Sequence, residues 1–213
     1  MTEPAANSAS AARSRLPGVI LAGGRASRMG GGDKGLRLVG GRRLIDHVLL
    51  RLSGQCAPLA LNANGDPARF ADLGLPVLPD SIADHPGPLA GVLAGMDWAA
   101  GQGAEHIVSV AADTPFFPTD LVDRLWAGRG ASGLALAATR DAAGALRRHP
   151  TFGLWPVALR DDLRGALRRG LRKIVIWTDA HDATAVEFAA DPFDPFFNIN
   201  SPEDIDAAER LLA

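Results

Sequence analysis

A short apolar run that stops at paired glycines constrains this chain more than any other stretch of it. Leu16 to Ala22 reads as a buried strand, and it ends at Gly23-Gly24. A loop rich in glycine and cations follows, from Arg25 to Gly35. A buried strand feeding a flexible cationic loop is how an α/β protein arranges backbone N–H groups around a phosphate. Lysine is otherwise scarce: of 22 Lys plus Arg, only Lys34 and Lys173 are lysines. A lysine inside this loop therefore reads as a compact ammonium placed for phosphate. We expect a nucleoside triphosphate site here.

The 213 residues are 47% hydrophobic and 22% charged, enough apolar material for one sizeable core. A net charge of −2 argues against a bulk binder of nucleic acid or membrane surfaces. The lone cysteine, Cys56, excludes an internal disulfide and a Cys-clustered metal site, and reads as a small buried residue. No apolar run approaches the roughly 20 residues of a membrane helix. Residues 1–15, rich in Ala and Ser, make a poor signal peptide and read as a disordered tail ahead of a single domain over 16–213. The expectation is a cytoplasmic protein.

Strand-like and helix-like segments alternate along the chain. Strands are expected at Leu59 to Leu61, Leu75 to Leu78, Ile107 to Ala112, Leu134 to Ala138, Phe152 to Trp155, Val186 to Phe188 and Phe196 to Asn200. Helices are expected over residues 42–53, 89–100, 118–127, 156–169 and from Ser201 onward, where Ser caps and Pro202 takes the first helical position. Asp66 caps a short helix through Asp72. Residues 139–150 read as loop, and 171–178 favour a strand by propensity, with a helix as the alternative. The pattern predicts an α/β fold of three layers, a mostly parallel sheet with helices on both faces. Ligands in such sheets bind at the carboxyl ends of strands, which here carry Gly23-Gly24, Asn62, Asp80, Asp113 and Asn198.

Two common phosphate motifs do not account for the opening loop. The Gly-x4-Gly-Lys-Ser/Thr pattern is absent. Gly30-x-Gly32-x-x-Gly35 matches a dinucleotide fingerprint but begins eight residues past the strand and leads into Leu-Arg-Leu-Val rather than a helix. Asp113, closing a buried strand before Thr114-Pro115, is placed either to hold Mg²⁺ between phosphate oxygens or to cap a turn. Asp80 to Gly91 is a stiff loop whose Gly87-Pro-Leu-Ala-Gly91 turn brings backbone close to a ligand. Asn62 can bond a base or ribose. His149-Pro150-Thr151 and Asn198-Ile199-Asn200 suit a second substrate, the two asparagines sharing one strand face by period two.

Leu21-Ala22-Gly23-Gly24-Arg25-Ala26-Ser27-Arg28-Met29-Gly30-Gly31-Gly32-Asp33-Lys34 resembles the signature Leu-Ala-Gly-Gly-x-x-x-Arg-Met-Gly-x-x-Asp-Lys of nucleotidyltransferases. Together with Asn62-Ala63-Asn64, Asp80-Ser81, Pro86 to Gly91, Asp113-Thr114-Pro115, His149-Pro150 and Asn198 to Asp204, it makes nearly the whole chain from about residue 16 resemble the molybdenum cofactor guanylyltransferase family of MobA type. The resemblance implies a Rossmann-like nucleotidyltransferase fold that binds GTP·Mg²⁺, transfers GMP to the terminal phosphate of molybdopterin cofactor and releases pyrophosphate. It places Leu21, Ala22, Gly23, Gly24, Lys34, Asn62, Asp80 and Asp113 on GTP, with Asp113 on the metal. It places His149, Asn198 and Asn200 toward the pterin, and Arg28 and Lys34 as the cations that offset phosphate charge. It further implies a monomer meeting molybdenum-insertion or molybdoenzyme-maturation proteins transiently. The alternatives are a molybdopterin cytidylyltransferase, a sugar-phosphate nucleotidyltransferase and a non-catalytic GTP-dependent cofactor-binding protein. Gly23, where the cytidylyl type tends to have a second Ala, favours guanine.

Overall fold

A computed structural model describes residues 16–23, 33–82 and 87–212. Its strands are β1 (Gly18–Leu21), β2 (Leu38–Val39), β3 (Arg42–Arg43), β4 (Leu59–Asn62), β5 (Val77–Leu78), β6 (His106–Ala111), β7 (Ala135–Arg140), β8 (Leu146–Pro156) and β9 (Thr184–Glu187). Its α-helices are α1 (Leu44–Ser53), α2 (Pro88–Ala100), α3 (Leu121–Ala127), α4 (Arg160–Arg168), α5 (Ile174–Ala180) and α6 (Pro202–Leu212). The expected tail over 1–15, and Gly24 to Gly32 of the opening loop, lie outside the described residues.

β1 is apolar on both faces because both faces are covered. Ile20 packs with Ile45, Val48 and Leu52 of α1 and Leu121 and Leu125 of α3. Val19 and Leu21 pack with Val92 and Leu93 of α2, Leu163 of α4 and Trp177 of α5. These are the expected three layers, on a seven-stranded sheet of order β5-β4-β1-β6-β8-β7-β9. β1 pairs in parallel with β4 and with β6, β4 with β5, and β7 with β9. β8 alone runs against its neighbours, β6 and β7.

The structure corrects three local expectations. Residues 139–150 are not a loop: β7 runs to Arg140, β8 starts at Leu146, and only Asp141 to Ala145 turn. Asp141 Oδ1 closes that turn by accepting from the backbone N–H of Ala143 and Ala145, each at 2.9 Å. Residues 140–147 are exposed, so the hairpin carries no apolar alternation for a sequence reading to find. Ile174 to Trp177 is helical rather than extended. Ile174, Trp177 and Thr178 are the buried side of α5, at helical spacing, and the Trp177 indole donates to Asp162 at 2.8 Å. The Gly87-Pro-Leu-Ala-Gly91 segment leads into α2 as expected, with Pro88 in its first turn. Residues 196–200 form no strand and touch the sheet end through Ile199 N–H, which donates to Asp113 O at 2.9 Å.

Cys56 is buried as expected, and burial pushes its thiol up to about 12, which keeps it protonated and inert. Among the described residues no helix is long and apolar enough to cross a membrane.

His106 opens β6 at the sheet edge away from the site described below. Its ring meets Trp126 edge-on at 5.4 Å, and Nδ1 is buried with no hydrogen-bond partner among the described residues. Burial, then the charge of Arg129, holds its basicity below the ordinary 6.5. A histidine with a depressed folded pKa leaves the unfolded chain to take up the proton first, so stability falls as pH drops through about 6.5. The thermal midpoint should therefore decline between pH 7.5 and 5.5, and His106→Gln should flatten that decline. An unchanged slope would assign the pH dependence to other groups.

Candidate nucleotide-binding site

Parallel pairing sets the strand ends in one row. Leu21 lies opposite Asn62 and Ala111, and Asn62 opposite Leu78. Two residues beyond each member of that row stand Gly23, Asn64, Asp113 and Asp80. All four line one cavity of about 650 Å³, together with Gly87 and Pro88 at the start of α2, Thr151 and Asn198.

At one end the Asp80 carboxylate is gripped from two sides. Asn62 Nδ2 donates to its Oδ1 at 3.0 Å and Asn64 Nδ2 to its Oδ2 at 2.7 Å. Asn64 Oδ1 in turn accepts the Asp80 N–H at 2.9 Å. Asn62 is buried and also donates to Leu78 O at 3.1 Å, so its amide orientation is fixed. Space for it comes from Gly91 of α2: a Cβ there would fall 2.1 Å from Asn62 Oδ1. Of the Gly87–Gly91 segment, Gly87 and Pro88 line the cavity, while Gly91 admits the side chain that holds Asp80. Ser81 is tied separately, donating to Asp97 Oδ2 at 2.6 Å.

At the other end Lys34, in a 3-10 turn over Lys34–Leu36, has Nζ 3.5 Å from Asp113 Oδ2 and donates to Asn200 Oδ1. Both side chains of this pair are 20% exposed, and Asp113 lines the cavity. Thr114 Oγ1 donates to Asn198 Oδ1 at 2.5 Å, tying the segment before α6 to the end of β6. Asn200 and Ser201 donate their N–H groups to Asp204 Oδ2 at 2.8 and 2.9 Å, so the cap of α6 also sets Asn200. Asn198 and Asn200 thus reach the site from a capped loop, not from a strand.

Of the backbone groups expected to meet the base, Ala22 N–H is committed to Asn62 O at 2.9 Å and Leu21 O accepts from Ala112 N–H at 3.0 Å. Gly23 N–H is the next donor outward, and Gly23 stands in the cavity wall. Gly24 and Arg28 lie outside the described residues. His149 does not line the cavity. Its Nε2 lies 2.8 Å from Thr139 Oγ1, and its ring stacks on Phe196 at 4.5 Å, two residues before Asn198. Burial holds its basicity below the ordinary value, against the opposing pull of Asp194. Asn64, Thr114 and Thr151, which the sequence offers only as members of longer motifs, belong to the site. The signal for Asn64 was present, two residues past Asn62 in a strand-end motif.

A carboxylate facing a lysine at one end of the cavity, and a locked carboxylate at the other, suit a ligand with a polyanionic tail and a hydrogen-bonding base. Set at the carboxyl edge of a parallel α/β sheet, this arrangement defines a nucleotidyltransferase. The model of the MobA-like NTP transferase domain matches residues 18–184, and the chain belongs to that family. It is 52% identical over 203 residues to a protein of Bradyrhizobium named molybdenum cofactor guanylyltransferase, with 93% of each chain covered. It is 46% identical to one of that name from Mesorhizobium japonicum, covering 94% of this chain and 97% of the other. Its fold is that of the molybdopterin-guanine dinucleotide biosynthesis protein A of Archaeoglobus fulgidus, with a TM-score of 0.68 at 22% identity, covering 92% and 98% of the two chains. The 2-C-methyl-D-erythritol 4-phosphate cytidylyltransferase of Thermus thermophilus matches as well, with a TM-score of 0.68 at 20% identity and the same coverages.

Gly91→Ala tests the base end. The added methyl displaces Asn62 and releases Asp80, so nucleotide affinity should fall about tenfold, roughly 1.4 kcal/mol, by calorimetry. Affinity equal to that of the parent chain would separate Asn62 from nucleotide binding.

Proposed function

We propose that this chain transfers GMP from GTP to the terminal phosphate of molybdopterin cofactor and releases pyrophosphate. The observation that carries the reading is the meeting of Gly23, Asn64, Asp80 and Asp113 around one cavity, in a chain half identical to proteins named for that activity. Asp80 takes the guanine. Its two oxygens, each already held by an asparagine amide, keep lone pairs for the N1–H and the 2-amino group. Cytosine presents an acceptor and one amino group on the same edge, and is a poorer match. Leu21, Ala22, Gly23 and Gly24 bound the nucleotide from the β1 side, and Asn62 acts through Asp80.

Asp113 fits a magnesium ion. It is a cavity-lining carboxylate that stays partly exposed beside Lys34, and magnesium is commonly held by one or two carboxylates together with substrate phosphates. When bound, the ion neutralises charge across the phosphate oxygens.

The chain's own residues position and neutralise. The acceptor phosphate oxygen, already anionic, attacks the α-phosphorus in line. The new P–O bond forms as the bond from the α-phosphorus to the bridging oxygen breaks, and pyrophosphate leaves with the electron pair. No protein nucleophile or general base is needed. Lys34 and Arg28 offset charge on the triphosphate and on the leaving group. Asn200 holds Lys34 in place from the acceptor side. Asn198 and Asn200 meet the acceptor, and His149 supports them through its stack on Phe196. The chain works as a cytoplasmic monomer on these two substrates.

Pyrophosphate release measured with each of four NTPs, with and without molybdopterin cofactor, tests the reading. GTP plus cofactor should exceed the other NTPs; release no greater than with CTP removes the guanylyl assignment, and binding without release makes the chain a carrier. Asp113→Asn should lower magnesium-dependent turnover by about 100-fold or more with the fold retained. Full activity in that variant would take Asp113 out of the metal role.

A further inference from the structure

Arg69 touches Asn64 at one end of the site and Asp33, the neighbour of Lys34, toward the other. It projects from the 3-10 turn Pro67–Leu73, which no functional motif covers. Its Nη2 donates to Asn64 O at 2.5 Å and its Nη1 to Asp66 O at 2.9 Å. Its Nε lies 2.6 Å from Asp33 Oδ2, with side chains 28% and 23% exposed. This last contact is a charge pair rather than an aligned hydrogen bond, since the buried Nε–H points at no acceptor among the described residues. Gly65 adopts φ +87°, and a Cβ there would come within 3.0 Å of Nη1, so the turn is shaped to let the guanidinium lie along the backbone.

The two partners are what give these contacts meaning. Asp33 immediately precedes Lys34, the phosphate-side lysine. Asn64 is one of the two side chains that hold Asp80. One planar cation therefore spans from the base of the phosphate lysine to the support of the base-reading carboxylate. Only a guanidinium meets a carboxylate and two carbonyls at once in a fixed fork; a lysine at this position reaches fewer of them. Arg69 also neutralises Asp33, whose charge beside Lys34 would otherwise offset the attraction between that lysine and a triphosphate.

We propose that Arg69 is a positioning residue that couples the two halves of the nucleotide site, holding Lys34 and Asp80 in register so that base and triphosphate are bound as one ligand. The proposal rests on the reading of this cavity as a nucleoside triphosphate site. It makes no contact between Arg69 and substrate necessary.

The test measures two fragments by calorimetry on the full chain with Mg²⁺: tripolyphosphate, which has no base, and guanosine, which has no phosphate. Arg69→Ala should weaken both at least fivefold. It should also raise KM for GTP tenfold or more while kcat stays within threefold. The decisive arm is crosswise. Asp33→Asn alters only the phosphate side and leaves the 67–73 turn intact, yet it should weaken guanosine, and the double variant should be no worse than Arg69→Ala alone. Guanosine affinity unchanged by Asp33→Asn, or strictly additive losses in the double variant, overturns the proposal. Arg69→Lys should restore less than half of the lost affinity, and full restoration would likewise overturn it. If the parent chain takes CTP in place of GTP, the guanine reading fails, and cytidine replaces guanosine in the same arms to decide the coupling.

Discussion

The parallel pairing of β1 on both of its edges is the constraint from which the site follows. Leu21 is level with Asn62 on one side and Ala111 on the other. Parallel strands end on the same edge of a sheet, so the loops that leave β1, β4, β5 and β6 open together. A slip of one residue in either ladder would turn Val19 and Ile20 toward the wrong layers, and both are fully buried. The hydrophobic core thus fixes the register, and the register fixes which residues meet at the cavity.

Polar networks then convert that shared edge into two chemically different ends. At the β4–β5 end an acceptor pair is built: two asparagine amides orient one carboxylate, and Gly91 clears the space that Asn62 needs. At the β6 end Lys34, Asp113 and Asn200 come from three separate parts of the chain, joined by the cap of α6. Groups held this way do not have to reorganise when charge moves during phosphoryl transfer, and such preorganisation is the main resource of an enzyme without a protein nucleophile.

Much of this was legible in the sequence, for identifiable reasons. β1, β4 and β6 announced themselves as short apolar runs because both of their faces are buried, and each run stopped at the residue that matters. The Ser201-Pro202 start of α6 was readable because capping chemistry is local. What escaped the sequence was set by tertiary contacts. The Ile174 to Trp177 run is β-branched and strand-like until Trp177 finds Asp162. The tip of the β7–β8 hairpin, residues 140–147, stands clear of the core and so shows no alternation. Strand period would put Asn198 and Asn200 on one face, but what holds them at the site is Thr114 and Lys34. Arg69 carries no local signal at all; only the fold places it between Asp33 and Asn64.

The central claim is that the Asp80 carboxylate, locked by Asn62 and Asn64, reads the base. The most direct measurement is the nucleotide preference of Asp80→Asn. Guanine offers two donors on the edge that faces position 80, whereas xanthine offers a donor and an acceptor. An asparagine, with one oxygen and one amide nitrogen, matches xanthine instead. Total turnover falls in this variant because its amide meets those of Asn62 and Asn64, so the ratio is the readout. The account predicts that kcat/KM for GTP over XTP, well above one in the parent chain, drops by at least about tenfold and inverts. A variant that keeps the parent preference for GTP over XTP would contradict it.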